Sequence, residues 1–190
     1  MLAPYRTIGY AIVSSDGMIA DAGGIMPDSL KIEADQQNFA RALDSVDAVV
    51  HGRHSHEGQP TSPRRRRLVA TRKVAAIAHD PDHPNSLLWN PVGASFDEAC
   101  RALGLATGTV AVLGGTGVFD MFLDTGYDAF HLSRAGKVKL PGGTPVFSQV
   151  RFGRSPEDVL TQFGLEPGPI RVLDEVNAVS LVSWTRKTRA

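Results

Sequence analysis

A chain of 190 residues is long enough to bury a substantial core in one domain, and its 42% hydrophobic and 21% charged residues are the balance of a globular protein. Twenty Lys and Arg against twenty Asp and Glu leave no global field to draw it onto nucleic acid or an anionic membrane. A single cysteine, Cys100, excludes an internal disulfide framework and fits a reducing cytoplasm, and no run approaches the roughly 20 apolar residues that cross a bilayer.

Residues 1–15 carry Arg6 but no sustained apolar core with a small-residue cleavage site, so no secretory leader is expected. TIGYAIVS (7–14) predicts the first strand. Phe39, Ala42, Leu43 and Val46 recur at i, i+3, i+4 and i+7, one face of a helix. VDAVVH (46–51) predicts a second strand, which stops at Gly52 and releases Arg53, His54, Ser55 and His56. HEGQPTSPRRRR (56–67) predicts an exposed loop. RLVAT (67–71), VAAIA (74–78) and SLLWN (86–90) follow as short strands. Ser95 with Glu98 forms a capping-box pattern ahead of FDEACRAL, and Gly104 supplies a stop.

TVAVLG (109–114) predicts a strand that ends in Gly114-Gly115-Thr116-Gly117, after which a helix runs from Val118 to Asp124 and ends at Gly126. YDAFHLS (127–133) is again a strand. From there the helical patterns cease: strands are expected at 144–152, 169–175 and 179–184, separated by turns such as LPGGTP (140–145). Strands alternating with helices predict an α/β fold, with a mainly parallel sheet covered on both faces and an antiparallel C-terminal edge.

Three strand ends carry chemistry. Gly52 permits a bend, Arg53 holds a permanent charge and Ser55 can donate to a phosphate oxygen. Gly114, Gly115, Thr116 and Gly117 open onto a helix start, where close backbone approach and free N–H groups attract an anion. LVATRK (68–73) presents Thr71, Arg72 and Lys73. The glycine run is neither the G-x-G-x-x-G fingerprint nor a P-loop, and taken alone plain turn chemistry is its simpler explanation. Two phosphate cradles and a cationic strand end suit a ligand with a pyrophosphate and a further phosphate. NADPH is such a ligand.

Blander readings compete elsewhere. His51, His54 and His56 alternate, but apart from Glu57 they lack partner ligands at useful spacing, so no metal is expected. RRRR (64–67) is a short cluster without interleaved aromatics; it predicts a solvated loop or a share in the extra phosphate rather than a nucleic-acid grip. Phe119, Met121, Phe122 and Leu123 predict core, as does Cys100.

SSDGMIAD (14–21) resembles the S-x-D-G-x-I-A signature of the riboflavin-biosynthesis reductase domain. DQQNFARALDSVDAVVHGRHSHE (35–57) and VLGGTGVFDMFLDTGYDAFHLSRAGKVKLPGGTPVF (112–147) resemble its helix–strand–loop segment and its glycine-loop segment, in the same order. The resemblance implies a dihydrofolate reductase-like fold across residues 1–190 and an NADPH-dependent reductase. It places Gly52, Arg53, His54 and Ser55 at the pyrophosphate and adenosine end, with Ser55 where a threonine is usual. Thr71 and Arg72 would read the ribose 2′-phosphate, and Gly114, Gly115, Thr116, Gly117 and Val118 would line the nicotinamide–pyrophosphate side. Asp16, Gly17 and Ile19 would lie in a loop that closes over nicotinamide and substrate. Asp35 falls near a substrate-binding carboxylate, so Asp16 and Asp35 are the candidate catalytic residues, and Ile19 and Asp35 the candidate substrate contacts.

The chain departs from the family in lacking the zinc deaminase motifs often fused to this reductase: no H-x-E precedes a P-C-x-x-C. Residues 56–67 show no clear substrate-phosphate motif. The implied reaction is reduction of a ribosylamino-pyrimidine phosphate. The alternatives are a dihydrofolate- or pterin-type reductase, or a protein that holds NADPH without turnover. A small-molecule substrate and a homodimer covering the apolar VSLVSW are expected, with no nucleic-acid or membrane partner.

Overall fold

The apolar run that opens the chain becomes β1 (Tyr5–Ser14), and the remaining elements assemble around it. In a computed structural model, residues 4–55 and 58–186 are described. They form β2 (Met18–Ala20), α1 (Glu33–Leu43), β3 (Ala48–Gly52), β4 (Arg67–Ala70), β5 (Ile77–His79), β6 (Ser86–Trp89), α2 (Phe96–Ala102) and β7 (Gly108–Val112). There follow α3 (Thr116–Thr125), β8 (Ala129–Ala135), β9 (Thr144–Pro145), α4 (Pro156–Gln162), β10 (Leu165–Asp174) and β11 (Val179–Arg186).

The main sheet has the order β10-β11-β8-β1-β7-β3-β4-β6-β5. From β8 through β6 every neighbouring pair is parallel. The C-terminal hairpin adds the expected antiparallel edge. The opposite edge is antiparallel as well, because β5 returns to β6 through a short turn, and so short a connection permits no crossover.

Alternation along the strands divides the core between two faces. Val49 and Ala111 point to one face, where Leu43 and Phe39 of α1 cover them. Val50, Val110 and Val112 point to the other, against Cys100 of α2, Phe119 and Phe122 of α3 and Leu160 of α4. Each capping box is formed: Ser95 accepts from the Glu98 N–H and Glu98 accepts from Ser95. No helix among the described residues is long and apolar enough to cross a membrane.

Two expectations fail in the C-terminal third. Residues 144–152 are not a strand: only Thr144–Pro145 pairs, with β2, and Ser148–Phe152 then coils into a 3-10 turn whose Ser148 N–H donates to Asp120. Nor are helices absent from this region, since α4 packs Val159 and Leu160 into the core. Its start is written in Ser155-Pro156-Glu157-Asp158, a reciprocal cap with proline in the first turn.

Candidate active site

Parallel pairing brings the C-terminal ends of the strands to one rim. Gly52 stands opposite Ala70, Ala70 opposite Trp89, and Val50 opposite Val112. The three strand ends singled out by residue type therefore share a rim, with Thr71 just past β4, Gly52 closing β3 and Gly114 just past β7.

The first and third ends touch. The Gly52 N–H donates to the Gly114 carbonyl at 2.7 Å. A Cβ built on Gly52 would meet Val118 Cγ2 at 3.6 Å and the Gly115 nitrogen at 3.7 Å; one built on Gly115 would lie 3.1 Å from Ser55 Oγ and 4.0 Å from Ile19 Cδ1. Gly52, Ser55, the glycine loop and Ile19 thus enclose a cradle that even one methyl group would begin to fill. Gly114 has φ +92°, and its Cβ would strike Phe119 Cε2 at 2.5 Å, so no other residue fits there.

Residues lining the cradle divide their polar groups between structure and solvent. The Thr116 hydroxyl donates to the Pro145 carbonyl, while the N–H groups of Thr116 and Gly117 begin α3 and have no intrahelical acceptor. Val118 is buried and serves the core. Arg53 and His54 are exposed beside Ser55, which is half-buried. Thr71 is buried, and its hydroxyl accepts from the Lys73 N–H at 3.1 Å, leaving Arg72 exposed at the turn.

Behind the rim, His51 and Arg67 form a buried polar pair. His51 Nδ1 lies 2.7 Å from the Gly52 carbonyl, which can only accept, so Nδ1 carries the proton. Nε2 is then the acceptor for Arg67 Nη1 at 2.8 Å, and Arg67 Nη2 also donates to the Ser62 carbonyl and hydroxyl. This is a strand-end histidine, not a metal ligand. His56 and Glu57 lie outside the described residues, among which no group of three or more His, Cys, Asp or Glu can hold a metal ion.

The arginine run does not reach the extra-phosphate end. Its last member, Arg67, opens β4, so the run sits at that strand's N-terminal end, roughly 13 Å of strand from Thr71. Arg65 instead clasps Asp44 and Thr61 and donates to the Leu43 carbonyl at the end of α1. A cavity of about 290 Å³ beside this clasp, lined by Asp44, Asp47 and Arg64 to Arg66, lies at the far end of the sheet from the rim.

The two candidate carboxylates differ in environment. Asp16 accepts from the Ser14 hydroxyl at 2.6 Å and from the Leu140 N–H at 3.0 Å. Burial pushes its carboxyl up, but these bonds outweigh burial and the net shift is downward. Its oxygens are occupied in holding the turn that leads to Ile19. Asp35 sits in the first turn of α1. Burial raises its carboxyl, and a hydrogen bond with the Ser133 hydroxyl opposes the shift only in part. Ser133 lies two residues before the end of β8, opposite Ile12, so this pair is near the same rim on the α1 face. Ser133 was not singled out from sequence; the signal available was a small hydroxyl in a buried strand.

No family model matches the chain, and no curated protein matches it. Solved structures do. A protein of Shewanella sp. PV-4 assigned to riboflavin biosynthesis is 20% identical, with a TM-score of 0.65 over 96% of this chain and 99% of that one. Dihydrofolate reductase of Enterococcus faecalis, solved with NADP(H) and a ligand named RAB-propyl, is 15% identical, with a TM-score of 0.59 over 96% and 97%. The diaminohydroxyphosphoribosylaminopyrimidine deaminase/5-amino-6-(5-phosphoribosylamino)uracil reductase of Thermotoga maritima is 16% identical, with a TM-score of 0.65 over 96% of this chain but 56% of that longer one. At these identities the likeness establishes the fold, which is dihydrofolate reductase-like.

Proposed function

From this fold we propose that the protein is an NADPH-dependent reductase of a pyrimidine- or pterin-like small molecule, with 5-amino-6-(5-phosphoribosylamino)uracil the first substrate to test. The observation that carries the reading is the meeting of Gly52, Ser55, Gly114 and Gly115 in one cradle, on the rim that also carries Thr71 and Arg72. Open α/β sheets bind ligands at this rim. The E. faecalis and T. maritima proteins are named as reductases, and the former was solved with NADP(H).

In this reading the free N–H groups of Thr116 and Gly117 and the Arg53 guanidinium hold the pyrophosphate. His54 and Ser55 flank it, and Thr71 and Arg72 receive the 2′-phosphate. When bound, the cofactor supplies a hydride to a carbon–oxygen or carbon–nitrogen double bond. Ile19 closes the nicotinamide side against water, with Asp16 holding its turn. Asp35, raised by burial and bonded to Ser133, orients the substrate and holds the proton that balances hydride addition.

Substrate-dependent loss of absorbance at 340 nm tests the proposal. Saturable NADPH binding with no oxidation across pyrimidine and pterin substrates would instead establish a binder without turnover. A dihydropterin substrate is the second choice, favoured by Asp35, since a half-buried carboxylate suits a ring that presents paired N–H donors. We also propose a cytoplasmic homodimer. VSLVSW does not need a second copy to cover it, because β11 pairs with both β8 and β10 and buries Val179, Leu181 and Trp184 within the chain. Edge strand β10 instead exposes Ile170 and Val172, apolar surface that a second copy would cover, and sedimentation equilibrium reads that state.

A further inference from the structure

We infer that Asn90 is a positioning residue for cofactor choice: without touching the cofactor, it holds the loop that presents Arg72. The inference rests on the reading of Arg72 as the contact for the 2′-phosphate.

Between Ala70 and Ile77 the backbone has no regular structure, so its polar groups must find partners elsewhere. The Thr71 N–H donates to the Trp89 carbonyl at 2.8 Å, and the Lys73 N–H donates to the Thr71 hydroxyl. Asn90 serves two further carbonyls of this loop. Its side-chain Nδ2 donates to the Val74 carbonyl at 2.9 Å, and its backbone N–H donates to the Ala76 carbonyl at 2.7 Å. Its Oδ1 accepts from the Val92 N–H at 3.1 Å, which leaves the amide only one workable orientation.

The facing turn is locked to the same residue. The N–H groups of Gly93 and Ala94 both donate to the Asn90 carbonyl, at 3.0 and 3.1 Å. A Cβ on Gly93 would stand 1.8 Å from the Ala75 carbonyl oxygen, so the two turns fit together only with glycine at 93. Residues 71–76 and 90–94 are thus one interlocked unit with Asn90 at its centre. Arg72, long and exposed, takes its direction from the backbone of that unit. A guanidinium aimed in advance loses less entropy on meeting a phosphate.

The test compares dissociation constants of NADPH and NADH, measured by fluorescence titration, for the unaltered chain and for Arg72→Ala, Asn90→Ala and Gly93→Ala. Arg72→Ala is expected to weaken NADPH by roughly 10- to 150-fold more than NADH, the range for a charged hydrogen bond. Asn90→Ala and Gly93→Ala are each expected to weaken NADPH by about 5- to 10-fold while NADH changes by less than about 2-fold, as for one neutral hydrogen bond's worth of misplacement. Gly93→Ala disturbs the loop from the other side, so it reads the same unit should Asn90→Ala fail to fold. If Arg72→Ala shifts the preference and the two loop variants do not, or if they weaken both cofactors equally, the role of Asn90 is overturned. An unchanged preference in Arg72→Ala overturns the reading of Arg72 itself, and the Asn90 inference with it.

Discussion

Arg67 and His51 meet at 2.8 Å, both buried, with the imidazole accepting from the guanidinium on one side and donating to the Gly52 carbonyl on the other. Replacing His51 with phenylalanine takes an acceptor from a buried cation and a donor from the last residue of β3. The expected loss is about 1.5–3 kcal/mol, the range for a hydrogen bond to a charged group. Glutamine, which can donate at one end and accept at the other, should recover part of it. Urea unfolding of the two variants measures the difference, and equal losses would show that packing rather than hydrogen bonding matters at this site.

Gly114 and Gly117 should respond oppositely to alanine. At 114 the left-handed φ and the 2.5 Å approach to Phe119 combine, and backbone strain alone costs about 1–3 kcal/mol. At 117 the added methyl meets nothing within 4 Å and sits in a helix, where alanine gains about 0.5–1 kcal/mol over glycine. Thermal melts should therefore fall for Gly114→Ala and hold or rise for Gly117→Ala. Cofactor titration of the second variant then asks whether the space beside its N–H is the phosphate's.

Asp35 should trade stability for activity. Burial lifts its folded value above 3.8, so the folded chain holds this proton more tightly than the unfolded chain does. The unfolded chain therefore binds fewer protons at this group between 3.8 and the folded value, and stability declines as pH rises through that window. Above that window the ionised carboxylate is a standing cost. Asp35→Asn is expected to raise stability by about 0.5–2 kcal/mol above the window, with the gain shrinking as pH falls through it toward 3.8. Turnover should drop by about 100-fold or more, as for loss of a proton-handling group. Melting curves across pH check the first expectation, and steady-state rates the second.

Cys100 should be silent to thiol reagents in the native protein. It is fully buried in α2, and burial pushes its thiol up to about 12. Labelling with a chromogenic disulfide at pH 8 should begin only as guanidinium unfolds the chain, so its rate also reports global opening.

The strand ends were legible because glycine and arginine at the end of a valine-rich run mark a change of environment that few other patterns produce. Gly52, Gly114 and Thr71 could be found that way, and parallel pairing then brings them together. The fate of the arginine run could not be read: whether Arg65 meets a phosphate or Asp44 depends on which end of β4 it occupies, and composition is blind to that. Asn90 and Ser133 stayed hidden for a related reason. Each is an unremarkable polar residue at or near the end of a short strand, and its importance comes from partners 16 residues away, at Val74, or on another element, at Asp35. The segment 144–152 misled because it is rich in β-branched and aromatic residues, whereas Val146 and Phe147 bury themselves just past the two-residue β9 and Val150 does so from the 3-10 turn that follows.

One residue of α3 divides its attention between floor and rim. The Thr116 hydroxyl grips Pro145, Pro145 pairs with Met18, and Met18 is followed by Ile19 over the cradle. The backbone of the same threonine opens the helix. That helix start is therefore tied through two links to the residue overhanging it, so the mouth and the base of the cradle form a single jaw and not separate parts.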